Sequence, residues 1–355
     1  MAVSAIVFLL AQTAIAENLE VGSTNSNEVE QKKTVVVTAN RYPTDIREVG
    51  SSVSIIDAEE IKQSGQPTVL EVLRSVPGVD VVQSGGRGRT TSVFIRGAES
   101  DQTLLMIDGV RANDNTTGLF DFADIKAENI DRIEVIRGPQ SVLYGSEAIG
   151  GVIQIFTKNA GKGTTANAFV EAGSRGTHQY RANIGHRDKN ISSSNTVSFF
   201  GNDGISAAQS KNANPEDDSY RNVTLSSKNT AKFLEDGSIN FIARYSNSES
   251  ELDAFDFMGN VVDDLNFEQD TELLTLSTRI EKSVNDWVTP SILIGYTKQE
   301  IEGIDPDSEF NNFDISNDTF AVTTKVDITP TWGGTTSLGH VFETRKADNR
   351  GNFDA

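Results

Sequence analysis

From Thr164 onward, apolar residues recur at every second position. Ile239, Phe241, Ala243 and Tyr245 alternate with Asn240, Ile242, Arg244 and Ser246. Leu274, Leu276, Thr278 and Ile280 alternate with Leu273, Thr275, Ser277 and Arg279, and Phe320, Val322, Thr324 and Val326 with Ala321, Thr323, Lys325 and Asp327. Successive side chains of a strand point to opposite faces, so this pattern predicts strands with one apolar and one polar face. Nine are expected, near 165–173, 177–186, 194–203, 220–229, 237–246, 271–281, 290–300, 318–328 and 334–343. The loops at 204–219, 247–270 and 301–317 are long, whereas 283–289 and 329–333 are short; the first, 174–176, is a short exception. Strands of about ten residues, without helices between them and with loops alternating in length, predict an antiparallel transmembrane β-barrel facing lipid, in preference to a soluble sandwich.

The pattern before residue 160 is different. Residues 46–158 mix short strands and helices in a region large enough to hold its own core. Val53–Ile56 reads as a strand, and Asp57 with Glu60 makes a capping box that opens a helix. Thr68–Ser75 reads as a second helix, stopped by Pro77-Gly78. Val79–Val81, Val93–Arg96, Thr103–Ile107 and Arg132–Arg137 read as strands, with a tight turn at Asp108-Gly109. Gly85-Gly86-Arg87-Gly88 is no phosphate cradle: it lacks the Lys-Ser/Thr of a P-loop and opens no helix.

The first residues, MAVSAIVFLLAQTAIA, read as an export signal over residues 1–16, ending in the Ala14-Ile15-Ala16 cleavage pattern. No Lys or Arg precedes Lys32, so the basic start of such a signal is expected upstream. Residues 17–45 form a polar linker that contains the isolated β-prone stretch Thr34–Arg41. That stretch is either the first strand of the next domain or a tethered peptide offered to a partner's open sheet edge.

Composition narrows the function. The formal charge is −20, from 31 basic and 51 acidic side chains, which repels phosphate and excludes nonspecific nucleic-acid binding. The absence of Cys excludes disulfides, thiolate metal sites and Cys nucleophiles, and the three isolated His residues offer no zinc motif and no nucleophile–base pair. The acids gather in the long loops. Residues 249–272 hold nine acids and residues 302–318 hold six, with no Lys or Arg in either stretch. Such a run is a solvated loop or a set of oxygen ligands for calcium.

The stretches VFIRG (93–97), LLMIDGVR (104–111) and above all IEVIRGPQSVLYGSEAIGGVIQIFTK (133–158) resemble the plug domain of TonB-dependent outer-membrane receptors. VVVTANR then resembles the TonB box, the energy-coupling peptide of that family, here Thr34, Val35, Val36, Val37, Thr38, Ala39 and Asn40. The resemblance is strong over residues 34–160 and rests on pattern beyond them, and within the family it is nearest the cobalamin-receptor branch. It implies an α+β plug domain followed by an antiparallel transmembrane β-barrel. The receptor would sit in the outer membrane, import cobalamin or a ferric siderophore, and be energised by TonB and its inner-membrane complex. It implies no catalysis and no covalent cofactor. By analogy with the family, the ligand meets the plug apex at Ser84, Arg87, Arg89, Asn113, Asp114 and Asn115. Cobalamin receptors use acids in corresponding loops to bind calcium. The candidates here are Glu216, Asp217, Asp218 and Asp253, with Glu216 standing where Asp is expected. A plug of about 110 residues cannot fit inside nine strands, and the family uses about 22, so much of the barrel is expected to lie outside this sequence.

Overall fold

The computed structural model describes residues 36–37, 41, 44–120, 122, 125–206, 217–255, 261–262, 264–308 and 311–351. The export signal, most of the linker, Thr34, Val35, Thr38, Ala39, Asn40, Glu216 and Asp256 lie outside the described residues.

The first elements are two short strands, β1 (Val36–Val37) and β2 (Thr44–Asp45), paired antiparallel with Val36 opposite Asp45. The mixed region follows as β3 (Ser52–Asp57), α1 (Ala58–Ser64), α2 (Val69–Leu73), β4 (Val79–Gln83), β5 (Thr91–Ile95), β6 (Thr103–Ile107), β7 (Val110–Arg111), β8 (Ile130–Arg137), α3 (Ser141–Tyr144) and β9 (Gly151–Thr157). The expected capping box starts α1: Asp57 accepts from the Glu59 and Glu60 amides at 2.9 Å, and its own amide donates to Glu60 at 3.1 Å. Gly65, at φ +65°, ends the helix. Thr68 caps α2, which stops at Leu73, two residues short of expectation, where the backbone tightens into turns from Ser75 to Val72 and from Val76 to Leu73.

Five strands form the central sheet in the order β3-β8-β9-β6-β7, with β6 and β9 parallel and the other pairs antiparallel. Strands β4 and β5 make a separate ribbon whose tip is the Ser84–Thr90 loop. Both faces of β8 and β9 are covered. Ile133, Val135, Ile136, Val152, Ile153 and Ile155 are fully buried, and Val69, Leu70, Val72 and Leu73 of α2 join the larger of two apolar clusters. Burial of one such side chain stabilises by about 1.5–3 kcal/mol, which is what holds this small region together.

All nine expected long strands are present: β10 (Gly163–Ala172), β11 (His178–Arg187), β12 (Ile191–Asn202), β13 (Tyr220–Phe233), β14 (Gly237–Glu251), β17 (Glu268–Lys282), β18 (Val288–Ile304), β19 (Phe313–Ile328) and β20 (Thr336–Gly351). They pair antiparallel in chain order in one open sheet. A small ribbon, β15 (Ala254–Phe255) with β16 (Val261–Val262), lies in the loop between β14 and β17. Several strands exceed the expected ten residues, reaching 17 in β18. Their ladders continue past the apolar band into outer ends such as the polar Ser248–Glu251 and the mixed Glu300–Ile304. One face carries buried Asn222, Thr224, Ser246, Thr275, Thr297 and Thr319 toward the central sheet, and the other exposes Val197, Leu225, Phe241, Ile280, Ile294 and Phe320.

That outer face has one polar interruption on β12 and β13. Ser193 Oγ donates to Asn229 Oδ1 at 2.7 Å, and Asn229 Nδ2 to Ser227 Oγ at 2.8 Å. Ser227 Oγ donates to Asn195 Oδ1 at 2.7 Å, and Asn195 Nδ2 returns to Ser193 Oγ at 3.0 Å. The four side chains close a ring of hydrogen bonds.

Candidate functional site

The β4–β5 loop reads Ser84-Gly85-Gly86-Arg87-Gly88-Arg89-Thr90 and leans against the wall formed by β12, β13 and β14. Three neighbouring residues each make a different contact. The Arg87 guanidinium lies 4.8 Å from the Phe200 ring centroid on β12. Gly88, at φ +81°, packs against Tyr220 and Ser250 so closely that no Cβ fits. Arg89 Nη2 donates to Asp218 Oδ2 at 3.0 Å and lies 3.6 Å from Asp253 Oδ2. Ser84 is exposed at the tip. Lys126 reaches the same rings, its buried ammonium 4.1 Å from the Phe200 centroid and 5.8 Å from that of Tyr220. Lys126, Phe200 and Tyr220 were not anticipated, because nothing local marks a lysine that will sit over rings brought from a distant strand.

Of the expected calcium ligands, Asp218 and Asp253 therefore converge, and they converge on a guanidinium. Asp217 is exposed. No group of three or more His, Asp or Glu among the described residues is placed to hold a metal ion. Calcium takes six to eight oxygens; Asp218 Oδ2 and Asp253 Oδ2 instead face Arg89.

The second expected apex segment divides its labour. Asn113 is buried and spent on the plug region itself: its Oδ1 accepts from the Leu105 amide at 2.7 Å, and its Nδ2 donates to the carbonyls of Gly118 at 2.8 Å and Thr103 at 3.0 Å. Asn113→Ala leaves these buried backbone groups without partners, and a loss of about 3 kcal/mol of stability is expected, read by thermal unfolding. Asp114 accepts from the amides of Thr116 at 2.8 Å and Thr117 at 2.6 Å and so shapes the turn. Asn115 reaches the wall, donating to the Asp318 carbonyl at 3.1 Å and to Thr319 Oγ1 at 3.0 Å.

Further down, charged pairs fasten the central sheet to the wall. Lys228 of β13 donates to Asp108 at 3.1 Å and to the Thr157 carbonyl at 2.7 Å. Arg181 of β11 pairs with Glu128 at 2.6 Å, and burial raises the Glu128 carboxyl above its ordinary value against the opposing pull of Arg181 and Lys126. Arg111 meets Glu147, which also meets Arg345 of β20. Burial, with Arg345 nearby, lowers Arg111 to about 10. Burial likewise pushes the Tyr144 hydroxyl up to about 12, where it accepts from Gln154 Nε2 at 2.8 Å. A cavity of about 700 Å³ lies between these contacts and the wall, lined by Arg41, Asp108, Arg111, Tyr144, Lys228 and Lys325 among others.

A mixed sheet seated against a polar wall face, with an apolar outer face, is the architecture of a plugged barrel. Residues 45–152 match the family model of the TonB-dependent receptor plug domain. Over residues 45–152, then, the chain is similar to the plug domain of TonB-dependent receptors. The chain is 44 % identical over 150 residues to the vitamin B12 transporter BtuB of Vibrio vulnificus, a match taking in 42 % of this chain and 25 % of that relative. It is 39 % identical over 175 residues to BtuB of Photobacterium profundum, taking in 49 % of this chain and 28 % of the relative. In these matches the chain spans about a quarter of the curated relatives. Among solved structures, the siderophore receptor PiuA of Acinetobacter baumannii superposes with a TM-score of 0.69 at 19 % identity, covering 88 % of this chain and 47 % of that one. The ferripyoverdine receptor of Pseudomonas aeruginosa does so with 0.70 at 13 % identity, covering 90 % and 46 %. Those likenesses concern the fold: plug followed by antiparallel barrel strands. The receptor is an outer-membrane protein.

Proposed function

We propose that the receptor takes part in TonB-energised import across the outer membrane and that its ligand is cobalamin. The observation that carries the ligand is the 44 % identity to a vitamin B12 transporter over 150 residues. A ferric siderophore is the second reading, favoured by the fold shared with siderophore receptors. In this reading the ligand settles on the outer loops and on the plug apex around Ser84, Arg87, Arg89, Asp114 and Asn115. Binding makes Thr34–Asn40 available, and TonB adds a strand to that peptide. Val36–Val37 supports this step, because among the described residues β1 pairs only with β2, on one of its two edges. Force passed through the linker then loosens the plug from the wall and lets the ligand inward. No covalent bond of the ligand changes.

The test is uptake. Cells without a cobalamin transporter of their own, given the gene for this receptor, are expected to accumulate radiolabelled cobalamin only while TonB is present. Accumulation of a ferric siderophore in place of cobalamin decides for the second reading, and accumulation of neither removes both.

A further inference from the structure

The Arg89 contact carries a consequence for the outer loops. It joins three segments far apart in the chain: the plug apex, the 203–219 loop through Asp218, and the 252–267 loop through Asp253. The side chains of Arg89, Asp218 and Asp253 are 13 %, 5 % and 0 % exposed, so the three charges meet largely out of water. Two carboxylates brought together in that setting repel unless a cation lies between them. A guanidinium suits the position, being always charged and carrying several donors in a fixed plane. The plug supplies it on a short stem: Gly88 lets the backbone approach Tyr220 and Ser250 without a side chain between, which delivers the next residue to both acids.

We propose that Arg89 does the work that calcium would do between these loops. The cation that gathers them is part of the plug. Loop order then needs no dissolved divalent ion, and it depends on the plug apex being in place. The ligand-facing loops and the plug apex consequently behave as one unit, held at a single positioning residue.

The experiment digests whole cells displaying the receptor with papain, a broad-specificity protease that needs no calcium and does not depend on acidic residues for its cuts, in calcium or in a chelator. Parent receptor is expected to be cut in each loop at rates agreeing within about two-fold in the two conditions, because no bound ion is being withdrawn. In chelator, Arg89→Met is expected to raise cutting in both loops by about ten-fold or more, since both have lost their shared partner. Asp253→Asn removes one arm and is expected to expose the 252–267 loop while sparing 203–219; Asp218→Asn is expected to do the reverse. These two variants decide the matter where Arg89→Met fails to reach the membrane. Exposure of the parent loops by chelator alone overturns the proposal. So does an Arg89→Met receptor as resistant as its parent, or a single-arm variant that exposes both loops or neither.

Discussion

A receptor carrying Val36→Pro is expected to bind its ligand with unchanged affinity and to import almost none of it. Val36 lies in a two-residue strand opposite Asp45. Proline has no amide hydrogen and fixes φ near −65°, so it removes a ladder donor from a strand too short to spare one. Leaving that ladder bond unmade costs about 1–3 kcal/mol, roughly a five- to hundred-fold loss in the population able to pair with a partner strand. The ligand surface is untouched, because the outer loops and the Ser84–Thr90 tip lie on other elements. Val36→Ala keeps the amide and is the control: its uptake should stay within about two-fold of the parent. Uptake by the proline variant at the parent rate would end the reading of Thr34–Asn40 as the coupling peptide.

The second large effect is expected from Gly88→Val. The residue sits at φ +81°, and an added Cβ would lie well inside contact distance of Ser250 Oγ and the Tyr220 ring. The backbone conformation alone costs a branched L-residue about 1–2 kcal/mol. Overpacking against the wall adds about 1–3 kcal/mol. The tip should therefore swing off the wall, taking Arg87 from Phe200 and Arg89 from its two acids. Thermal unfolding would show a loss of about 3 kcal/mol. Gly86→Ala in the same loop should be silent, because its Cβ meets only the Ile205 carbonyl, at 4.0 Å. Equal behaviour of the two variants would mean that close approach at Gly88 does not dock the tip.

What was legible in the chain follows from how each signal arises. The nine long strands stood out because one face meets apolar surroundings and the other a polar interior, which stamps a period of two on residues such as 239–246. Their outer ends run past the expected bounds because Ser248–Glu251 is polar on both faces, and Glu300 to Ile304 breaks the apolar run with two Glu and a Gly, while the ladder goes on. Strand β9 escaped for the opposite reason: Val152, Ile153 and Ile155 are buried on both faces, so no alternation marks them. Capping at Asp57 was readable because its partner is three residues away. The Arg89–Asp218 pair was not, because its members are 129 residues apart and only the closing of plug on wall brings them together. The acidic loops offered either a solvated surface or calcium ligands, and neither reading points to Arg89.

The four-membered ring on β12 and β13 bears on how such a wall is read for compatibility with lipid. A residue-by-residue hydropathy sum scores Ser193, Asn195, Ser227 and Asn229 as four separate liabilities on a surface that should be greasy. Their donors circulate: each of the four passes one hydrogen to the next and takes one from the last. Desolvation is costly for a group whose partner is missing, and far less so for one already served. An apolar phase on that face would meet one linked group and not four separate ones, so the unit that must be counted is the quartet. Trimming one member harms more than its own polarity suggests, because it opens the circuit at two neighbours at once.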